Sequence, residues 1–171
     1  MNPDGIHLRR AAFKESGLKI KWSIEGINGR DTSIANNNLR YEPSDQGLCA
    51  GNGFFMHTVN CATQVYNAKT GKPLTNVIST NEFFHFPPEW DDKTKSLGKY
   101  ATDPSCHYDP DTDRWFHVVA HIEVNPVTRD FTGPNYLNLA VSKSGDPTGK
   151  WDIYRIPATN DGTEGTPNHQ C

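Results

Sequence analysis

The sequence predicts an all-β protein built from antiparallel hairpins, and three observations lead to this fold class. Glycine (14) and proline (12) are spread through the 171 residues, and no long segment shows the 3.6-residue apolar period of a helix. From Leu48 onward, apolar residues recur with the two-residue period of strands. A five-residue turn pattern recurs between these segments. The length suffices for one domain or part of a repeat architecture, and only 8–18 leaves room for a short helix.

Eight strands are expected, in two groups of four. In the clearest, 114–124, every second residue from Phe116 to Val124 is apolar, so this strand has one fully apolar face. The others are rich in aromatic or β-branched residues and are bounded by turn residues. The first group comprises 48–50, 54–60, 64–66 and 72–77, and the second comprises 106–108, 114–124, 136–143 and 151–156.

Three connections share one turn pattern, with Asn or Asp first, Pro or Ala second and Thr fourth. The first side chain can accept hydrogen bonds from the backbone amides ahead of it, and the fifth residue takes the left-handed conformation. Gly71 suits that conformation well, Asp113 tolerably and Arg129 poorly. Such hairpins in series predict antiparallel meanders. The three segments are 67–71, 109–113 and 125–129.

A longer repeat joins the hairpins into two units. Asp45 introduces the first unit, with Cys49 in its leading strand, and Asp103 introduces the second 58 residues later, with Cys106 in its leading strand. Four-stranded meanders with a period of roughly 40 to 50 residues, lengthened here by a long hairpin, predict β-propeller blades. Two blades cannot close a ring of about four to eight, so an incomplete propeller is expected. A β-sandwich or barrel is the alternative, because period-two strands do not distinguish these folds.

The expected organisation follows from these units. Residues 1–40 form an N-terminal segment, and residues 41–90 form the first blade with an aromatic connecting loop. Residues 91–157 form the second blade, and residues 158–171 are a linker to a missing blade. The expected partner is therefore the remaining blades of a larger parent chain.

Two stretches carry a resemblance to known proteins. One begins at Asp45-Gln46-Gly47-Leu48-Cys49 and ends at Gly51-Asn52-Gly53, and the other runs from Asp103-Pro104-Ser105-Cys106 to Arg114-Trp115-Phe116-His117. Roughly residues 24–171 resemble a family of largely uncharacterised, mostly secreted β-propeller proteins. The resemblance implies further blades and an extracellular or periplasmic location. Cys61 departs from the family pattern, which has another residue type there.

Asp45 and Asp103 are the candidate catalytic residues. By similarity to propellers that hydrolyse glycosides, each is expected at the entrance of the innermost strand of its blade, facing the central channel. Glycoside hydrolysis needs two carboxyl groups held about 5 to 9.5 Å apart, and adjacent blades could supply them. The alternative is that both are turn residues whose carboxylates cap backbone amides.

The aromatic segment 83–90 in the connection between the blades is the candidate ligand-binding site. Its Phe84, Phe86 and Trp90 could stack on sugar rings at the mouth of the channel, with polar neighbours fixing the hydroxyl groups. Packing between the blades is the alternative role for these rings.

No metal site or cofactor is expected. His117 and His121 lie four residues apart on a strand, about 13 Å, which is too far for both to bind one zinc ion. The three aspartates of 109–113 resemble the start of a calcium loop, but the glycine and glutamate that such a loop needs later are absent, so a hairpin turn explains them better.

The four cysteines have no C-x-x-C spacing for zinc binding or thiol exchange. If Cys49 and Cys106 lie on the innermost strands of neighbouring blades, a disulfide between them is geometrically feasible and would argue for an oxidising compartment. Buried free thiols are the alternative. Cys61 and Cys171 complete the set.

Charge and hydropathy limit the function classes. The net charge of −3 comes without a basic stripe, so nucleic acid is a poor ligand for this chain. No apolar run approaches the roughly 18 residues of a membrane span, and no signal peptide is visible. Within these limits, the resemblance implies a non-catalytic β-propeller domain of extracellular type, and we expect it to bind carbohydrate or another extracellular ligand. A fragment of a glycoside-hydrolase-like propeller is the alternative.

Overall fold

The strands of the protein form two four-stranded antiparallel sheets and one small hairpin, in a computed structural model that describes residues 23–39 and 45–158. Each four-stranded sheet is a meander in which consecutive strands are neighbours. The all-β fold class and the expectation of four-stranded antiparallel sheets are therefore confirmed.

The first sheet contains three strands close to their predicted places. They are β1 (Gln46–Gly51), β2 (Phe54–Val59) and β3 (Ala62–Asn67), and the fourth strand is β4 (Ile78–Ser79). The expected strand at 72–77 is wrong, because this segment makes only one isolated bridge, between Tyr66 and Pro73. Proline has no amide to donate, and the Val65 amide donates instead to the Thr75 hydroxyl (3.0 Å), so a regular ladder cannot form.

The second sheet contains all four strands expected for it; β8 has the expected bounds, and the other three are longer than expected. They are β7 (Tyr100–Asp109), β8 (Arg114–Val124), β9 (Phe131–Ser142) and β10 (Trp151–Pro157). Between the sheets along the chain lies a small hairpin of β5 (Trp90–Asp91) and β6 (Ser96–Leu97).

The shared turn pattern has the geometry that the sequence predicts. Asn67 and Asn125 each accept hydrogen bonds from two backbone amides ahead of them, and Asp109 accepts one from the Asp111 amide. The fifth residues are left-handed, with φ of +70° at Gly71, +53° at Asp113 and +67° at Arg129. A fourth copy, not recognised in the sequence, runs from Asp91 to Lys95, where φ is +54°.

Two short helices were not expected from the sequence. Helix α1 (Gly29–Ala35) is capped by Asn28, whose side chain accepts from the Asp31 amide. Helix α2 (Thr80–Phe83) is capped by Ser79, whose hydroxyl accepts from the Glu82 amide. Such N-caps were the available sequence signal. The helix considered at 8–18 lies outside the described residues. Among the described residues, no helix has the length and apolar character to cross a membrane.

The leading strands β1 and β7 lie side by side and bring the two sheets together. The contacts advance in step along both strands, from Gly47 beside Pro104 to Gly51 beside Tyr108, so the strands run in the same direction. Midway, Cys49 and Cys106 form a disulfide with a Cα–Cα distance of 5.7 Å. Two buried clusters cover the inner face of the second sheet. The one between the two sheets contains Cys49, Met56, Val65 and Trp115, and the one beneath the aromatic segment contains Phe84, Ala101, Val119 and Ala140.

The fully apolar face of β8 points away from the first sheet. Its other face is buried under the first sheet at Trp115 and under the aromatic segment at His117, Val119 and His121. The apolar face is only partly covered and continues across β9 and β10. It consists of Phe116, Val118, Ala120, Ile122, Leu137, Leu139, Val141, Tyr154 and Ile156. The second sheet thus presents an apolar outer face that the described residues leave open.

We expect Gly47→Ala to lower the free energy of unfolding by about 1 to 3 kcal/mol, because overpacking strains a close strand contact. A Cβ at this position would lie 2.9 Å from the Pro104 carbonyl oxygen and 3.3 Å from the Ser105 Cα, both backbone atoms. Urea denaturation measures the effect. Gly98→Ala is the matched control, because its nearest contacts would be at 3.6 Å. Equal stabilities of the two variants would show that β1 and β7 are not in this contact.

Candidate functional site

Asp45 and Asp103 lie at the same end of the two sheets, joined by Asn60. The Asn60 side-chain amide donates to the Asp45 carboxylate (3.1 Å), and its carbonyl oxygen accepts from the Asp103 backbone amide and the Thr102 hydroxyl, both at 3.1 Å. The Asn60 backbone amide also donates to the Asp45 carbonyl oxygen (3.1 Å). The two aspartates therefore share one rim of the molecule, which we call the aspartate rim.

Two backbone irregularities build the aspartate rim. Asp103 is left-handed, with φ of +51°, and lies in an irregularity where the register of β7 and β8 shifts between Thr102 and Ser105. Such bulges redirect side chains at the edges of functional sites. On the first sheet, Asn60 occupies the tight β2–β3 turn, beside Cys61 with φ of +74°. Cys61 is a buried free thiol, and burial raises its pKa to about 12, so it is not a nucleophile.

The geometry of the aspartate rim favours hydrogen bonding over acid catalysis. Both carboxylates are exposed, whereas the general acid of a glycosidase is kept protonated by an apolar surrounding. Asn60 also fills the space that links them. The arrangement can accept hydrogen bonds from the hydroxyl groups of a ligand.

The aromatic segment divides between the interior and the surface. Phe84 is only 3% exposed and packs against Phe83 and His117, with ring centroids 5.1 and 5.3 Å away, so it contributes to the core and is not open to a ligand. Phe86 is partly exposed and packs on His121, at 4.4 Å. Trp90 is also partly exposed. Packing, the alternative role considered above, therefore describes Phe84.

A row of buried polar side chains lies behind the aromatic segment, and two of its members, Asn138 and Glu89, were missed in the sequence. His117, His121 and Asn138 are fully buried, and burial lowers the pKa of both histidines to about 4, so both are neutral at pH 7. The Arg155 charge further lowers the pKa of His121. Glu89 is 2% exposed, and burial raises its pKa to about 8. The alternation of these histidines with Trp115 and Val119 was the available signal for a buried face.

Cys49 and Cys106 form a disulfide, which the sequence made feasible if both residues lay on leading strands. Cys49 and Cys106 occupy matching places in β1 and β7, so the condition for their bridge, leading strands in neighbouring sheets, is met. Cys171 lies outside the described residues. Within residues 23–39 and 45–158, no group of three or more His, Cys, Asp or Glu side chains is placed to hold a metal ion.

A cavity of about 640 Å³ opens between the outer strands of the two sheets, and we call it the inter-sheet cleft. Its apolar wall includes Phe83 and Trp151, whose rings meet edge to face with centroids 5.3 Å apart. The Trp151 indole N–H donates to the Pro147 carbonyl oxygen (3.1 Å), which fixes the ring. Further apolar residues are Val65, Ile78 and Ile153, and the polar ones include Glu82, His85, Lys143, Lys150 and Asp152.

The chain was compared with protein families, curated proteins and solved structures. No family model, no curated protein and no solved structure matches the chain. The geometry of the two sheets, the aspartate rim and the inter-sheet cleft is therefore the basis for a function.

Proposed function

We propose that this chain forms two neighbouring blades of a β-propeller of extracellular type, which acts as a non-catalytic carbohydrate-binding domain. One observation carries the proposal: the leading strands β1 and β7 run side by side in the same direction, cross-linked by Cys49–Cys106. Two meanders related in this way have the arrangement of adjacent blades around an axis. This proposal also agrees with the resemblance of the sequence to mostly secreted propeller proteins.

The open apolar face of the second sheet supports the propeller. If a third sheet were placed relative to the second as the second is placed relative to the first, it would cover the face that contains Leu137 and Leu139. Leu137 is 45% exposed, and Tyr154 and Ile156 on β10 are 52% and 47% exposed. Contiguous apolar patches of this kind mark interaction surfaces. The proposed partner of this face is the next blade of a larger propeller.

The disulfide supports an extracellular or periplasmic location. Disulfides persist in oxidising compartments and are rare where glutathione keeps thiols reduced. The Cys49–Cys106 bridge lies between the two sheets, where it stabilises the contact on which the arrangement depends. Because the bridge stabilises the contact between the sheets, we assign it a structural role in a secreted-type domain.

Carbohydrate is the ligand class that the exposed groups favour. Sugars offer apolar ring faces to aromatic side chains and hydroxyl groups to carboxylates and amides. The inter-sheet cleft has both kinds of group, with the rings of Phe83 and Trp151 beside polar side chains that include Glu82 and His85. The exposure of the Asp45 and Asp103 carboxylates argues against hydrolysis.

A glycoside hydrolase is the second candidate, favoured by one specific observation. Asp45 and Asp103, from successive units of the sequence, are brought to one rim and share Asn60 as a hydrogen-bond partner. A carboxylate from each of two adjacent blades is the minimum equipment for glycoside hydrolysis.

A glycan panel tests the proposed function. We expect the wild-type protein to retain at least one class of neutral glycan on an array and to release no reducing sugar from it. Absence of binding to every glycan would overturn the proposal. Hydrolysis that is lost in Asp103→Asn, at an unchanged melting temperature, would replace it with the glycosidase function. Asp111→Asn is the matched control, because Asp111 is an exposed aspartate in the β7–β8 turn, away from the aspartate rim.

A further inference from the structure

We propose that the carbohydrate binds in the inter-sheet cleft, as a neutral mono- or disaccharide unit, and not at the aspartate rim. This inference rests on the proposed function and names its site. The volume of about 640 Å³ falls within the range of roughly 300 to 1,000 Å³ that is usual for small-molecule sites. The aspartate rim, by contrast, has its central position filled by Asn60.

The apolar wall of the cleft suits the face of a sugar ring. Trp151 is partly exposed, and its ring is held by its own hydrogen bond to Pro147 and by the edge-to-face contact with Phe83. A ring held in this way loses little rotational freedom when a ligand stacks on it. Ile153 and Ile78 extend the apolar wall on either side.

A sugar also needs groups that bind its hydroxyls, and polar side chains along the cleft supply them. Glu82, His85 and Lys150 are exposed, and among the described residues none of their side chains makes a hydrogen bond or an ion pair within the protein. Three side chains of different chemistry are thus available to one ligand.

The balance of charge selects a neutral ligand. Glu82 carries a negative charge and Lys150 a positive one, while Lys143 and Asp152 neutralise each other in an ion pair of 2.8 Å. An anionic ligand would meet Glu82, and a cationic ligand would meet Lys150. Sugar hydroxyls both donate and accept, so a neutral saccharide can use the carboxylate and the ammonium group together.

The cleft also follows from how the sheets meet. The close backbone approach is at the leading strands, where Gly47 and Gly51 have no side chains to separate β1 from β7. Helix α2 and the aromatic segment fill only part of the space between the outer strands. The sheets therefore open outward, and the wall of each sheet contributes residues to a single cleft.

The test is an NMR titration of nitrogen-15-labelled protein with two sets of saccharides. The first set is the methyl glycosides of glucose, galactose, mannose and N-acetylglucosamine, and the second is cellobiose and lactose. Chemical-shift changes are followed by NMR in the wild type and in Glu82→Gln/Lys150→Met. Lys69→Met, an exposed lysine away from the cleft, is the matched control, and Asp45→Asn/Asp103→Asn tests the aspartate rim.

We expect shifts at Phe83, Trp151 and Ile153 with at least one saccharide. The double cleft variant should bind it at least about tenfold more weakly, while the control and the rim variant stay within about twofold. Shifts that map to Asn60 and its neighbours, or full affinity in the cleft variant, would overturn the cleft as the site while leaving carbohydrate binding intact. No shift with any saccharide would overturn both.

Discussion

Replacing Cys49 and Cys106 together by alanine should lower the free energy of unfolding by about 4 kcal/mol. The bridge spans a sequence separation of 57 residues, and closing a loop of that length in the unfolded chain has about this value in the chain-entropy model. Urea denaturation of the wild type with and without dithiothreitol, and of the double variant, measures the effect.

The control for this prediction is the free cysteine. Cys61→Ala keeps the bridge, so its stability should still fall when dithiothreitol is added, whereas the double variant should be insensitive to the reductant. A wild-type midpoint that does not move on reduction would contradict the assigned pairing.

Glu89→Gln should stabilise the protein increasingly as the pH rises from 4.5 to 8. Burial raises the pKa of Glu89 from 4.5 to about 8, so over this window the unfolded chain releases a proton that the folded protein retains. Stability therefore falls with rising pH, by about 1.4 kcal/mol per pH unit at most and about 5 kcal/mol in total. Glutamine has no such proton to lose.

The measurement is urea unfolding of wild type and Glu89→Gln at pH 4.5, 6 and 8. The buried histidines His117 and His121 act in the other direction, because their pKa values of about 4 cause loss of stability as the pH falls below 6.5. They titrate alike in both proteins, so the difference between the two curves isolates Glu89. A difference independent of pH would show that Glu89 is ionised in the folded state.

Local pattern was sufficient to predict most of the sheets and turns. Period-two alternation located β8, and the Asn or Asp of each turn predicted the left-handed residue that closes it, even at Arg129. It failed at 72–77, where Pro73 and the Thr75 hydroxyl interrupt the ladder that the aromatic and β-branched pattern suggested. It also overlooked the two helices, because each is too short to show an apolar period and is set by its N-cap.

The candidate sites depended on contacts that no local pattern contains. Asp45 and Asp103 were recognisable from the repeat, but Asn60, which joins them, follows only from the position of a turn in the folded sheet. The inter-sheet cleft combines α2 with Trp151, residues about seventy positions apart. Which face of β8 is buried likewise depends on the neighbouring sheet, since His117 and His121 lie inside although the opposite face is more apolar.

The measurement that most directly tests the central claim, two blades that open outward from their leading strands, is a comparison of two distances by pulsed electron paramagnetic resonance. One pair of spin labels, attached without cysteine chemistry, replaces Ala50 and His107, which occupy matching places on the leading strands, and another replaces Asn76 and Tyr154 near the outer strands; all four positions are exposed. The account predicts a longer distance for the outer pair than for the leading pair. Equal distances would indicate two flat layers stacked as a sandwich and would contradict it.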